Sequence, residues 1–247
     1  WSSMLYVPTI EGPLYALDSS NGNVIWQNYD DPFGYWDSSP TIVDGIIYIA
    51  GCSDGLRAID AINGESIWVT DFGYEIDATP AYHNGSIYIG AQKPPFASVD
   101  PSDGTMNWTS DFAIHGSPGV ADGMVFFGEY SFNDSARVIS LDCLTGDTVW
   151  TYMTTSFTFR GSPSITDGIV YIAAQDGNLH AFGTGLKYTY RENYFYAAVG
   201  SNELIVTSFD GGSPVAADTI NFTVTQTGIT LEPSGRLALC ASPNPFY

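Results

Sequence analysis

The chain has 247 residues, 44% of them hydrophobic, with 26 Gly, 14 Pro and a formal charge of -20. Seven Lys and Arg against 27 Asp and Glu argue against a protein that grips nucleic acid or an anionic membrane, because phosphates would be repelled. No apolar run reaches the ~20 residues of a membrane-spanning helix.

In chain order, the first element is Leu14–Trp26, "LYALDSSNGNVIW". It returns as "LRAIDAINGESIW" at 56–68, "FASVDPSDGTMNW" at 96–108 and "VISLDCLTGDTVW" at 138–150. The repeat tryptophans are Trp26, Trp68, Trp108 and Trp150, and the aspartates that open the turns are Asp18, Asp60, Asp100 and Asp142. Each unit is preceded by a proline landmark: "SSP" at 38–40, "ATP" at 78–80, "GSP" at 116–118 and "GSP" at 161–163. A second turn, "VDG", "HNG", "ADG" or "TDG", stands just before an apolar run.

One unit reads as four strands: "SPTIV", "GIIYIAG", "LRAID" and "ESIWVT". The runs are short, rich in Ile, Val and Tyr, and bounded by Gly-containing turns. The Asp accepts hydrogen bonds from backbone N–H groups within its turn, and the Gly supplies positive φ. The Trp offers a large apolar face to a neighbouring sheet. Four strands recurring every ~40 residues predict an all-β fold, a β-propeller of four-stranded antiparallel blades.

These units resemble the PQQ-like β-propeller repeat family over about residues 4–183. That family holds quinoprotein alcohol dehydrogenases, an outer-membrane assembly lipoprotein and many surface proteins, so the resemblance implies the fold and leaves the activity open. The pattern departs at both ends. Met4 aligns with Ile46, which leaves the first unit without an inner strand, and "GNLHAFG" at 177–183 has Gly183 where Asp is expected, with no Trp following. Either about five blades close with borrowed strands or the chain is part of a larger propeller. Trp1 in place of Met, with no signal peptide, reads as a start within a longer precursor.

The propeller is assigned to residues 1–185 and a β-rich segment to 186–247. Within that segment "NELIVTSFDGGSPVAADTINFTVT" resembles the last strands of an immunoglobulin-like domain of surface proteins. These strands serve as a partial sandwich or complete the last blade.

Candidate sites are few. Three cysteines, Cys52, Cys143 and Cys240, are widely spaced with no CxxC pair, which disfavours zinc and thiol-redox sites. The dehydrogenases of the resembling family use an adjacent Cys–Cys disulfide against the quinone, which no cysteine pair here matches. There is no GxSxG or HExxH motif, and His83, His115 and His180 fall at different points of the repeat. No catalytic residue, metal site or cofactor is assigned. "YDDPFGYWD" at 29–37 is read as a solvated loop rather than a Ca²⁺ ligand set. The residue three before each landmark proline is Asp37, Asp77, His115 or Arg160, preceded by Trp36, Ile76, Ile114 or Phe159. This variable slot on the loops entering the innermost strands is the expected ligand-binding position, a mixed-charge pocket with aromatic walls.

Sequons stand at Asn84, Asn107, Asn133 and Asn221. With 20 Asp, only two Lys and a strong acidic excess, they point to an extracellular or cell-surface glycoprotein. A high-salt habitat would give the same bias. The expected function is a non-catalytic scaffold that contacts other protein chains, with self-association by strand exchange in a surface layer, sheath or filament. The alternatives are a ligand-binding or PQQ-dependent dehydrogenase propeller and an assembly-factor module. The last would carry a lipobox Cys near its start, which this chain does not show.

Overall fold

The computed structural model describes residues 3–10, 12–31, 34–35, 37–51, 55–131, 136–154, 159–166, 168–175 and 178–183, and the backbone of strands at 186–191, 200–210, 213–225 and 228–231. The described residues form no helix, and their strands fall into five antiparallel sheets. Blade 1 holds β1 (Met4–Val7), β2 (Leu14–Asp18) and β3 (Val24–Asn28). Blade 2 holds β4 (Thr41–Val43), β5 (Ile46–Ala50), β6 (Gly55–Asp60) and β7 (Ser66–Asp71). Blade 3 holds β8 (Ala81–His83), β9 (Ser86–Gly90), β10 (Phe96–Val99) and β11 (Met106–Ser110). Blade 4 holds β12 (Gly119–Ala121), β13 (Met124–Gly128), β14 (Arg137–Asp142) and β15 (Thr148–Met153).

The fifth sheet begins as a blade, with β16 (Ser164–Thr166), β17 (Ile169–Ala173) and β18 (Asn178–Gly183). It continues through β19 (Leu186–Arg191), β20 (Gly200–Asp210), β21 (Ser213–Thr225) and β22 (Gly228–Leu231), seven strands in sequence order. The strand that follows the last repeat thus takes the fourth-strand place in blade 5: β19 pairs with β18, with Tyr188 opposite Ala181. That register position belongs to the repeat Trp elsewhere, since Trp26 faces Ala16, Trp68 faces Ala58, Trp108 faces Ser98 and Trp150 faces Ser140.

The innermost strands β4, β8, β12 and β16 approach one another in succession, which places the blades around a common axis. The two middle strands of a blade are the core. In β5 and β6 all residues but Ile46 and Asp60 are buried, whereas the outer β7 alternates between exposed and half-buried. Burying a side chain such as Ile47 stabilises by about 1.5–3 kcal/mol, and each middle strand contributes several. Gly116 marks how closely the inner segments approach: a Cβ there would lie 2.6 Å from the Gly161 carbonyl oxygen.

A single device joins blade 1 to 2, 2 to 3 and 3 to 4. The indole N–H of Trp26 donates to the Ala61 carbonyl at 3.1 Å, that of Trp68 to Pro101 at 3.0 Å and that of Trp108 to Cys143 at 3.0 Å. The Tyr6, Tyr48 and Tyr88 hydroxyls donate to the same three carbonyls, and each tyrosine ring lies about 6 Å from its blade's indole. Burial raises all three phenols, Tyr88 to about 12, so they remain donors. The acceptor is always the residue after the turn-opening Asp of the next blade.

That turn is built as its sequence predicts. Asp18 Oδ1 accepts from the Ser20 N–H, Asp60 Oδ1 from Ile62 and Asn63, Asp100 Oδ1 from Ser102, and Asp142 Oδ1 from Leu144 and Thr145. The turn ends on a glycine at φ near +75°, and the preceding blade's indole lies flat on Gly64, Gly104 and Gly146. A Cβ on any of the three would meet the ring at 2.6 Å, so only glycine fits.

Candidate functional site

The loops entering the inner strands lie on the same side of each blade as the turn between the two middle strands. The residues just before the landmark prolines form a hydrogen-bonded chain across four blades. The Ser39 N–H donates to Thr79 Oγ1 at 3.0 Å, the Thr79 N–H to Ser117 Oγ at 2.8 Å, and the Ser117 N–H to Ser162 Oγ at 3.0 Å. Proline cannot donate, so the hydroxyl residue before it supplies both halves of the link. The sequence carries the signal, a Ser or Thr before every landmark proline.

Of the four slot residues, the structure brings two together. Asp77 Oδ2 lies 3.3 Å from His115 Nε2 and accepts from Gln92 Nε2 at 2.5 Å. The His115 ring stands 5.4 Å from that of Tyr130. Asp37 and Arg160 are exposed, and neither forms an ion pair with a described residue. Of the expected walls, Ile76, Ile114 and Phe159 are buried in the packing between blades, and Trp36 lies outside the described residues. Asp37 and Arg160 of the slot are exposed while Asp77 and His115 are largely covered, and the residue before the slot, where described, is constrained by the core.

Beside this cluster, Arg137 holds Glu129 by two bonds, Nε to Oε2 at 2.7 Å and Nη2 to Oε1 at 2.6 Å, and its guanidinium lies 5.2 Å from the Phe112 ring centroid. The bond to Glu129 raises the Arg137 pKa further. The loop at 29–37 is not simply solvated. Asp31 is buried and paired with Arg57 at 3.4 Å, and a Cβ on Gly51 would strike its carboxylate. Tyr35 is buried beside the pair, and desolvation raises its phenol. Asp30 accepts from Ser66 Oγ and from Asn28 Nδ2.

Chemically, a carboxylate that fixes an imidazole orients it for proton transfer. Here the same carboxylate is also held by an amide, and the three groups satisfy one another. Among the described residues no group of three His, Cys, Asp or Glu is arranged to hold a metal ion. His180 is buried among Tyr152, Phe159 and Phe182 rather than at the surface. Cys143 is a buried free thiol whose pKa is raised by burial, while Cys52 and Cys240 lie outside the described residues. Asn84 and Asn107 are exposed, Asn133 lies outside the described residues, and Asn221 faces Glu203 in the β20–β21 pairing.

Comparisons with known proteins agree with this architecture. A family described as outer membrane protein assembly factor BamB matches residues 2–69 and 53–187. No curated protein sequence matches the chain. Among solved structures, BamB from Moraxella catarrhalis superposes with TM-score 0.63 at 15% identity, covering 94% of this chain and 93% of that one. A quinohemoprotein alcohol dehydrogenase from Comamonas testosteroni gives TM-score 0.63 at 14% identity, covering 86% of this chain and 44% of that one. The quinohemoprotein alcohol dehydrogenase ADHIIG from Pseudomonas putida HK5 gives 0.55 at 17%, covering 79% and 40%. The chain spans less than half the length of these two dehydrogenases, and identities this low speak for the fold alone. Blade geometry, repeat joints and the sequence match over 2–187 agree: the chain belongs to the PQQ-like β-propeller repeat family of the BamB type.

Proposed function

We propose that this propeller is a non-catalytic extracellular or cell-surface scaffold that works by contacting other protein chains, including copies of itself in a surface layer, sheath or filament. The observation that carries the reading is the outer strands β7 and β15, which border their sheets and expose Ile67, Val69, Val149 and Met153. Border strands are templates for strand addition from a neighbour. The description of the matching family as an assembly factor supports protein contact as the mode of action, and the acidity and exposed Asn84 and Asn107 support a surface location. A second reading, a ligand-binding or PQQ-dependent dehydrogenase propeller, is favoured by the Asp77–His115–Gln92 cluster.

The test is surface labelling of intact cells with a membrane-impermeant reagent, followed by cross-linking in place. The protein is expected to be labelled and to enter adducts containing more than one chain. Protection from the label, or reduction of a dye acceptor by purified protein supplied with PQQ, Ca²⁺ and an alcohol, overturns the proposal. Loss of that dye reduction in Asp77→Ala and His115→Ala would assign the second reading.

A further inference from the structure

Blade 3 departs from its neighbours at one end. The turn between its first two strands is Asn84–Gly85, with φ +47° and +79°, where blades 2 and 4 carry Asp44–Gly45 and Asp122–Gly123 with both residues likewise at positive φ. The strand that follows opens with Ser86, whereas β5, β13 and β17 open with Ile46, Met124 and Ile169. On the outer strand, blades 1 to 4 each have a bulge at the residue before the repeat Trp. That residue is the exposed Ile25, Ile67 or Val149 in blades 1, 2 and 4, and Asn107 in blade 3. Two places on, Thr109 holds the position of Gln27, Val69 and Thr151.

Folding alone does not demand these residues. An Asn-Gly pair suits a tight hairpin, but so does the Asp-Gly of the other blades. Ile46 and Met124 pack against the core, a contact that a serine forgoes. The departures share one chemistry: Asn84–Gly85–Ser86 and Asn107–Trp108–Thr109 are both Asn-x-Ser/Thr acceptor sequences for N-linked glycans. Both asparagines are exposed with blades 2 and 4 in place on either side. Asn84 stands at the hairpin tip, where a Cβ on Gly85 would meet nothing within 4 Å. Asn107 Nδ2 donates to Ser98 Oγ at 3.3 Å, and a glycosylated amide keeps one N–H, so this bond and a sugar are compatible. The two acceptors lie at the same end of the blade, and β9 and β11 are two strand spacings, roughly 10 Å, apart. Blade 3 is also bare of apolar surface: from 81 to 110 no large hydrophobic side chain is exposed.

We propose that blade 3 is a glycan-bearing blade, with N-linked oligosaccharides on Asn84 and Asn107. The donor is an oligosaccharide joined through its anomeric carbon to a polyprenyl phosphate or diphosphate. The asparagine Nδ2 forms a bond to that carbon as the carbon–oxygen bond to the phosphate breaks. The phosphate leaves with the electron pair, and the nitrogen gives up one proton. No oxidation or reduction occurs. The sugars cover the turn end of blade 3 with hydrated surface, so protein contacts fall on the apolar outer strands β7 and β15 to either side. The inference rests on the surface location in the scaffold reading, because such acceptor sequences are used in secreted chains.

The experiment is tandem mass spectrometry of peptides from the full chain, purified from the cells that make it. Peptides holding Asn84 and Asn107 are expected to carry added mass that falls away in hexose or N-acetylhexosamine steps. The repeat itself supplies variants suited to the fold: Asn84→Asp and Ser86→Ile copy the blade 2 turn, and Asn107→Ile copies β7. Made in the same cells, Asn84→Asp should lose the glycan at 84 and keep the one at 107. Ser86→Ile should do the same although Asn84 is still present, and Asn107→Ile should do the reverse. Circular dichroism verifies that each variant is folded. Unmodified Asn84 and Asn107 in the wild type overturn the proposal, as does a glycan on Asn84 that survives Ser86→Ile. Modification of one asparagine alone refutes the pair. Surface labelling of the same cells separates the two readings when no glycan is found: labelled but unmodified protein removes only the glycans, and protein protected from the label removes the surface location as well.

Discussion

Replacing Gly104 by alanine probes the blade joint at its closest approach. The residue sits at φ +77°, and a Cβ there would lie 2.6 Å from Trp68 Cε3 and 2.6 Å from Thr70 Oγ1. Ordinary contact is ~3.5–4.0 Å, so the indole must retreat by about 1 Å. It cannot retreat freely, because its N–H is bonded to Pro101 and Thr70 Oγ1 is bonded to the Gly104 carbonyl at 2.5 Å. Gly22 provides the control, with φ +75° and open space in front. Gly22→Ala then carries only the left-handed penalty of about 1–2 kcal/mol. Gly104→Ala carries that plus an overpacking cost of about 1–3 kcal/mol, and the difference measures the joint. In urea, with a slope of ~2–3 kcal/mol/M, the Gly104→Ala midpoint should fall below that of Gly22→Ala by about 0.3–1.5 M. Adding Trp68→Ala removes the indole and leaves Thr70 Oγ1 in place, so the two changes should couple and the excess should shrink. Equal midpoint shifts for the two glycine variants would refute the assignment of the turn glycine as the indole's seat.

Other consequences are open to measurement. The Asp18 and Asp100 carboxyls are held below the ordinary carboxylate range, first by side-chain bonds from Ser20 and Ser102, and Asp142 first by the Thr145 N–H. A folded pKa below the unfolded one gives stability that is present above the unfolded value and is lost as pH falls through the folded value. Asp100→Asn combined with Asp142→Asn should therefore flatten the acid limb of a stability–pH curve below about pH 4, as read by thermal melts. Thr79→Val removes the acceptor for the Ser39 N–H. It should lower stability by about 0.5–1.5 kcal/mol and raise amide exchange at Ser39, while Ser117 exchange stays unchanged. Asp31→Asn takes the buried Asp31 carboxylate from Arg57, which keeps Asp30 nearby, and should destabilise by up to about 3–5 kcal/mol, whereas the double change Asp31→Leu with Arg57→Met should recover most of it. A calorimetric ranking with the double variant below the single would contradict the ion-pair assignment.

The parts of the fold legible in sequence are those the repeat forces into identical surroundings. Trp26, Trp68 and Trp108 meet the same turn three times, so their spacing and the Asp–Gly pattern around them sufficed to place them. Asp31 was not legible, because its partner Arg57 lies 26 residues away on another blade and an acidic run next to prolines reads as solvated. At the candidate site, the repeat slot set Asp77 and His115 in one ring with Asp37 and Arg160 but did not say which two meet. Gln92 was missed because it stands in the loop after β9, outside the aligned slot. The hydroxyls of Thr79, Ser117 and Ser162 stood in plain view but were taken only as strand-entry marks, since a periodic Ser or Thr does not reveal which backbone group it accepts from. Residues after 185 carry no period, and only their pairing reveals that β19 extends the last blade.

Because each indole seats on the turn immediately downstream, every complete joint is a transaction between adjacent units alone. A whole unit of ~40 residues can be copied in place without inventing any new contact, since its front accepts what its back presents. Loss of half a unit has the opposite effect, leaving one seat or one indole without its counterpart. Lineages of this chain should therefore change length in whole units.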